Sequence, residues 1–217
     1  MTDGGKTEHR RAGRRAVGEQ GERTRARLLE AAKVVLRERG YLGTRIDDIA
    51  RAAGTSHGAF YLYFANKHDI LEALARQTSE VMLHLTRRFE GIEPGDRGYE
   101  QLRAWVGDFI DLYRENAPVI QAWVQAEPED ARFDRLGREI LGSIAGQIAH
   151  VIHGAVESGT RHPVNPPVAA TALVGMLERF CFFWLVRGAP FKHEDVVDTL
   201  ATVWYEAIFG QRSAGEP

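Results

Sequence analysis

The chain has 217 residues, of which 44% are hydrophobic and 27% are charged, and it contains one cysteine, Cys181. This composition is ordinary for a globular protein with a sizeable core, and a single cysteine excludes an intramolecular disulfide framework. No apolar stretch of membrane-spanning length is evident, and the basic N-terminus lacks the apolar core of a signal peptide. We therefore expect a cytoplasmic protein with no membrane partner.

The net charge of −2 is unevenly distributed. Up to residue 70 there are 14 Lys and Arg against 9 Asp and Glu, and the remainder has 14 against 21. A basic N-terminal part followed by an acidic part is typical of a DNA-binding head on a regulatory body. The charge pattern therefore favours nucleic acid as a partner, although the overall charge does not.

Residues 1–22 are predicted to form a disordered basic arm, because they contain too few large apolar residues to support a core. The arm either keeps the chain soluble or adds phosphate and minor-groove contacts. Its cations are Lys6, Arg10, Arg11, Arg14 and Arg15. A first helix is predicted from about Glu22 to Arg39, ended by Gly40.

Two short helices joined by a glycine turn follow. Thr44, with Asp47 three residues later, indicates a capping box for the first helix. Gly54 suits the left-handed position that ends a helix, and Ser56 can cap the next one. The buried face of the first helix is marked by Ile46, Ile49, Ala50 and Ala53. This arrangement is typical of a helix-turn-helix, which places its second helix in the DNA major groove.

The second helix, His57 to Phe64, has an inner face formed by Phe60 and Phe64 and an outer face rich in polar and small residues. Residues of its first turns are expected to reach base edges, and the tyrosine hydroxyls to reach phosphates. Asn66 is expected to cap the next helix, which places Lys67 at a helix N-terminus that favours phosphate. The alternative is that these side chains only pack a small helical domain.

The segment from Phe60 to Phe64, followed by Asn66 and Lys67, resembles the DNA-binding domain of the TetR (tetracycline repressor) family, over roughly Arg23 to Leu74. The resemblance implies an all-helical homodimer that represses transcription and releases DNA when a small ligand fills its C-terminal domain. It also implies backbone contacts by Arg45, Tyr61, Tyr63 and Lys67, and base contacts by His57, Gly58 and Ala59. The predicted DNA-binding set is these seven residues together with Ser56.

Helical periodicity continues to the end of the chain and predicts an all-α fold of about nine helices. Four of the later helices are expected at Lys67 to Glu90, Tyr99 to Asn116, Val168 to Arg187 and Glu194 to Phe209. Two more are expected between Asn116 and Val168: a short one that begins at Pro118 and another that ends at Gly159. Three parts are predicted: the arm at 1–22, the helix-turn-helix domain at 23–70 and a ligand-binding and dimerisation domain at 71–217. The helix from Lys67 to Glu90 is expected to be the only continuous link between head and body.

The last two helices are predicted to form the dimer surface. The eighth is apolar on nearly all sides and must be buried on all of them. The ninth has a wide apolar stripe that includes Val197, Leu200, Trp204 and Ile208. The family resemblance implies that both helices pair with their copies in a four-helix bundle.

A ligand pocket is predicted among the aromatic residues of the body, although each of them could equally be ordinary core. The predicted pocket is Trp105, Phe109, Tyr113, Trp123, Gln147, Leu177, Phe180 and Trp184. Further polar candidates are Gln121, Gln125, Glu178 and Arg179. The segment from Met176 to Arg179 is similar to the ethionamide-regulator branch of the family, in which an asparagine precedes the Glu-Arg pair. Leu177 at that position suggests a less polar ligand.

The sequence gives weaker support for metal binding, redox sensing or catalysis. His150, His153 and Glu157 share a helix face and could begin a metal site, but such a face is more often solvated. Cys181 is interpreted as a packing thiol rather than a redox sensor. No motif of an enzyme or cofactor site is present. We therefore expect a DNA-binding repressor released by a small apolar ligand, and no cofactor; the alternative is a carrier dimer that no longer binds DNA.

Overall fold

A computed structural model describes residues 4–126, 131–159 and 163–210, with side chains from residue 18 onward. These residues form eight α-helices and no strand, which confirms the all-α prediction. The helices are α1 (Gly4–Gly43), α2 (Ile46–Ala52), α3 (His57–Phe60), α4 (Lys67–Arg87), α5 (Asp96–Ala126), α6 (Ala131–Glu157), α7 (Pro166–Cys181) and α8 (His193–Phe209). A 3₁₀ turn (Arg88–Gly91) follows α4, and a π turn (Phe182–Val186) follows α7.

The first helix is longer than predicted. It begins at Gly4, so the backbone is helical within the segment for which composition predicts a disordered arm. Extending a helix that is already formed costs far less free energy than nucleating a new one. A segment with few apolar residues can therefore continue a helix that the packed residues of α1 have nucleated. At the other end Gly40 has φ 65° and ψ 176°, so the helical path is interrupted at the predicted residue.

Helix α5 passes through Pro118, where the sequence predicts a break between two helices. A proline inside a helix removes one hydrogen bond and costs about 3 kcal/mol. The residues beyond it offset this cost by packing, because Val119, Ala122 and Ala126 are all buried. This merger explains why eight helices are described where nine were expected.

Two apolar cores divide the fold into a head and a body. The head core, formed by α1 to α3 and the start of α4, also includes Val119, Ala122 and Ala126 of α5 and Phe133 of α6. The body core contains the first half of α5 together with α6, α7 and α8. The prediction that α4 is the only link between head and body is therefore wrong, because α5 belongs to both cores.

By length and composition alone, the stretch Pro166–Val186 is long and apolar enough to cross a bilayer, contrary to the prediction that the chain has no such stretch. One side of α7 is buried in the body core through Leu173, Val174 and Leu177. Its other side is exposed and is also apolar in part, including Val168 and Met176. The high apolar content of this helix therefore comes from both a buried face and an exposed face.

Candidate DNA-binding surface and ligand cavity

Local hydrogen bonds set the geometry of the helix-turn-helix. The Ser56 hydroxyl accepts from the Ala59 amide at 3.1 Å, and Asn66 Oδ1 accepts from the Asp69 amide at 3.0 Å, which confirms both predicted caps. Gly54, at φ 63°, makes the predicted left-handed turn. The Thr44 cap is wrong: its hydroxyl donates to the Gly40 carbonyl at 2.6 Å and so ties the turn to the end of α1.

The segment from His57 to Tyr61 holds the three residues predicted to read bases, His57, Gly58 and Ala59, together with Tyr61, which is predicted to contact the DNA backbone. Tyr61 is 49% exposed, and the His57 and Tyr61 rings lie 5.1 Å apart. His57 Nδ1 is paired with the Asp47 carboxylate of α2, a contact that periodicity could not predict. Gly58 is exposed and Ala59 half-buried. Regular helix ends at Phe60, and hydrogen-bonded turns then continue to residue 64.

The residues predicted to contact phosphates differ in their exposure and in the contacts that their side chains make. Arg45 is exposed, whereas Tyr63 is half-buried. Lys67 Nζ lies 4.3 Å from the Tyr41 ring centroid and 3.5 Å from the Tyr41 carbonyl oxygen. A lysine held over an aromatic ring keeps its charge in a defined place. Leu62, which is 80% exposed between the two tyrosines, is a further surface residue that the sequence did not predict.

A cavity of about 250 Å³ lies in the body between α4, α5, α6, α7 and α8. Five of the eight predicted pocket residues line it: Trp105, Phe109, Tyr113, Trp123 and Leu177. Helix α4 forms a wall that the sequence did not predict, through small and flexible side chains that recur at helical spacing: Ala75, Thr78, Ser79 and Met82. Further apolar lining comes from Val119, Ile120, Val124, Ile140, Leu141, Ile144 and Val174.

Three predicted pocket residues do not line the cavity. Helix α6 lines it only up to Ile144, so Gln147 lies nearly a turn beyond. Phe180 stacks on Phe191 at 5.8 Å, and Trp184 Nε1 donates to the Phe191 carbonyl at 3.1 Å, so both belong to a separate aromatic cluster. The π turn contributes to the error at Trp184, because an extra residue per turn rotates side chains away from the 3.6-residue phase.

Most polar groups in the cavity wall are already hydrogen-bonded. Thr78 donates to Asn116 Oδ1 at 3.0 Å, and Ser79 donates to the Arg76 carbonyl at 2.8 Å. The Tyr113 hydroxyl donates to Glu178 Oε1 at 3.4 Å, and burial together with that carboxylate raises the pKa of Tyr113, which keeps it neutral. The lining is therefore largely apolar. Of the further polar residues predicted for the pocket, Glu178 and Arg179 line the cavity. Gln125 lies elsewhere and accepts from the Tyr41 amide.

The residues predicted for the dimer surface are buried inside the protomer. Val197 and Leu200 are 5% and 6% exposed, and Trp204 and Ile208 are 0% exposed. Trp204 lines the cavity instead. Periodicity identified a buried face correctly but assigned it to the wrong neighbour. The exposed large apolar residues between the start of α7 and the end of α8 are Val168, Met176, Phe183, Phe191 and Val203.

Neither alternative site gains support. His153 Nε2 lies 3.2 Å from Glu157 Oε1, and the residues the structure describes contain no group of three side chains placed to hold a metal ion. Cys181 is 0% exposed, and burial raises the pKa of its thiol to about 12. Because the thiolate is the reactive form, this environment is that of a packing cysteine.

Comparison with known proteins gives two family matches. Residues 28–74 match the bacterial regulatory proteins of the tetR family, and residues 102–210 match the C-terminal domain of the transcriptional regulator EthR. The HTH-type transcriptional regulator EthR of Mycobacterium tuberculosis (strain ATCC 25618 / H37Rv) is 27% identical over 203 residues, covering 92% of this chain and 93% of that protein. CymR of Pseudomonas putida is 37% identical over 132 residues, covering 55% and 65%.

Solved structures show the same fold. The regulator FadR from Bacillus subtilis in complex with stearoyl-CoA has a TM-score of 0.69 at 18% identity, covering 86% of this chain and 98% of that chain. A tetR-family regulator from Streptomyces coelicolor has a TM-score of 0.67 at 23% identity, covering 86% and 80%.

Proposed function

This chain belongs to the TetR family of transcriptional regulators and has a C-terminal domain of the EthR type. We propose that it is a homodimeric, cytoplasmic repressor that an apolar ligand releases from operator DNA. The observation on which the proposal rests is that the cavity wall and the DNA-binding surface share α4. Lys67 begins this helix, and Ala75, Thr78 and Met82 of the same helix line the cavity.

Helix α5 provides a second connection. Phe109 and Tyr113 line the cavity before Pro118, and Val119 lines it while also belonging to the head core. Further along α5, Gln125 Oε1 accepts from the amide of Tyr41 at 3.1 Å, and Tyr41 in turn holds Lys67. A ligand that separates α4 from α5 would therefore shift the head at two places.

The ligand acts only through its preference for one conformation. Two recognition helices read half-sites about 34–36 Å apart, so a change in head spacing lowers DNA affinity. By thermodynamic linkage, operator DNA must weaken ligand binding by the same factor as the ligand weakens DNA binding. FadR from Bacillus subtilis was solved in complex with stearoyl-CoA, whose stearoyl group is a long apolar chain, and this supports a ligand with an elongated apolar part.

The DNA-binding step is tested by an electrophoretic mobility shift with the DNA upstream of the protein's own gene. Arg45→Ala should weaken the shift, because this exposed cation is on the proposed DNA face. Arg135→Ala is the matched control, since it removes an exposed cation from α6 in the body. Equal effects of the two substitutions would contradict the assigned surface. A wild-type protein that shifts no DNA would favour a small-molecule carrier.

A further inference from the structure

Leu62 is an apolar side chain on the surface that we propose for DNA binding. Among the large hydrophobic residues that the structure describes it has the highest exposed fraction, 80%. A single exposed leucine needs no explanation by itself. This one, however, lies between Tyr61 and Tyr63, inside the segment proposed to enter the major groove. Its surroundings therefore decide whether it can contact a base.

Residues 57–64 have one buried side and one exposed side. Phe60 and Phe64 are buried in the head core. The backbone turns in helical fashion through the segment, because the Phe60 amide donates to the Ser56 carbonyl at 3.3 Å and the Phe64 amide donates to the Phe60 carbonyl at 3.1 Å. Helical turns place residues four positions apart side by side, so Leu62 lies next to Gly58. The exposed residues of the segment are His57, Gly58, Tyr61 and Leu62.

Gly58 leaves open space beside Leu62. Outside its chain neighbours and its own helix backbone, the nearest atom to a Cβ at Gly58 would be Ser56 Oγ, 4.0 Å away. The adjacent His57 ring is held in place, because its Nδ1 is paired with the Asp47 carboxylate and the ring packs edge-on against Tyr61. The exposed side therefore combines a leucine, an open glycine position and a fixed ring, which leaves room for a small apolar group to contact the leucine.

We propose that Leu62 is a specificity-determining residue that reads thymine, by contact of its side chain with a thymine C5-methyl group lying over Gly58. This inference rests on the function proposed above, in which the segment enters the major groove. The C5-methyl group is the apolar feature that thymine presents in that groove, and cytosine lacks it. Hydrogen-bonding residues such as His57 detect donors and acceptors, so Leu62 adds information that they do not provide. The excess of 14 Lys and Arg over 9 Asp and Glu up to residue 70 favours DNA over an apolar protein surface as the partner.

The probe is the DNA duplex that the wild-type protein selects from a random-sequence pool, prepared once with thymine and once with uracil, which pairs in the same way but lacks the methyl group. Burying one methyl group changes affinity about fourfold, which corresponds to about 0.8 kcal/mol. A two-fold dimer makes the contact twice, so the wild-type protein should bind the uracil duplex about 15-fold more weakly at the same salt concentration.

Two leucine variants show whether Leu62 makes the contact. Leu62→Ala should bind the thymine and uracil duplexes about equally, and it should fold normally because Leu62 is 80% exposed. Leu42→Ala is the matched control, since Leu42 is 70% exposed near the end of α1 and outside the recognition segment. This variant should keep the 15-fold preference.

Gly58→Ala tests the open space beside Leu62. The added methyl group meets no atom closer than Ser56 Oγ, and alanine favours the helix more than glycine does, so the melting temperature should not fall. The same methyl group occupies the place of the thymine methyl, so most of the preference for the thymine duplex should be lost. A preference that stays at 15-fold in Gly58→Ala would overturn the position assigned to the thymine methyl.

The outcomes separate this inference from the proposed function. Equal wild-type affinity for the thymine and uracil duplexes would overturn the role of Leu62 and leave the DNA-binding function intact; this comparison needs no variant. A thymine preference that survives in Leu62→Ala would place the methyl contact on another residue and overturn the assignment. If the wild-type protein selected no sequence and bound no duplex, both the inference and the DNA-binding function would be refuted.

Discussion

The exposed apolar face formed by α7, the π turn and α8 provides the sharpest test of assembly. Phe183 is 57% exposed, although phenylalanine is normally among the buried residues, and Met176 and Val203 of the same region are 38% and 42% exposed. We predict that this face forms the homodimer interface and that Phe183→Asp produces a folded monomer. Trp204→Asp should instead unfold or precipitate the protein, because Trp204 is inside the protomer.

The size of the effect follows from the exposed area. A phenylalanine of about 200 Å² that is 57% exposed offers about 110 Å² to a partner. At about 25 cal/mol per Å² this is about 3 kcal/mol, and a two-fold symmetric dimer contains it twice. A loss of about 6 kcal/mol raises the dimer dissociation constant by about 10⁴-fold, and a buried charge raises it further.

Sedimentation velocity over a hundredfold range of protein concentration measures this change. The wild-type protein should remain dimeric, and Phe183→Asp should sediment as a monomer with an unchanged helical circular dichroism spectrum. Val81→Asp is the control, because Val81 is 52% exposed on α4, away from the proposed face. A Phe183→Asp variant that stays dimeric at the lowest concentration would refute the assignment of this face.

Three further predictions concern the head, the cavity and the thiol. Lys67→Ala should weaken binding to all DNA sequences alike and reduce the slope of log affinity against log salt by about 1; an unchanged slope in titrations at several salt concentrations would exclude a phosphate contact. Gly137→Leu should abolish Nile red binding while the protein stays folded, since a Cβ at Gly137 already lies 3.7 Å from the Trp123 ring and a longer side chain must enter the cavity; undiminished dye binding would count against this wall. Cys181 should not react with Ellman's reagent at pH 8 until the protein is denatured, because burial raises the pKa of its thiol from 9.0 to about 12. The protonated thiol therefore stabilises the folded state below pH 9, and this stabilisation is lost as the pH rises from 9 to 12. Denaturant titrations at both ends of that pH range would detect the loss.

The features that depend only on neighbouring residues could be predicted from the sequence. The caps by Ser56 and Asn66 and the left-handed turn at Gly54 need only the adjacent backbone, and all three are present. The helical class follows in the same way from the 3.6-residue period. The DNA-binding surface could be proposed for the same reason, because its residues lie within 23 positions of one another, from Arg45 to Lys67.

Which neighbour covers each apolar face depends on contacts between distant parts of the chain and could not be predicted from the sequence. Periodicity marks Leu200 and Trp204 as buried, but burial by α5 and burial by a second subunit leave the same pattern in the sequence. The break expected at Pro118 is absent for a similar reason, since packing of Val119 and Ala122 on the head offsets the lost hydrogen bond. Contacts between residues far apart in the chain therefore placed Trp204 in the cavity wall, a position that local sequence does not encode.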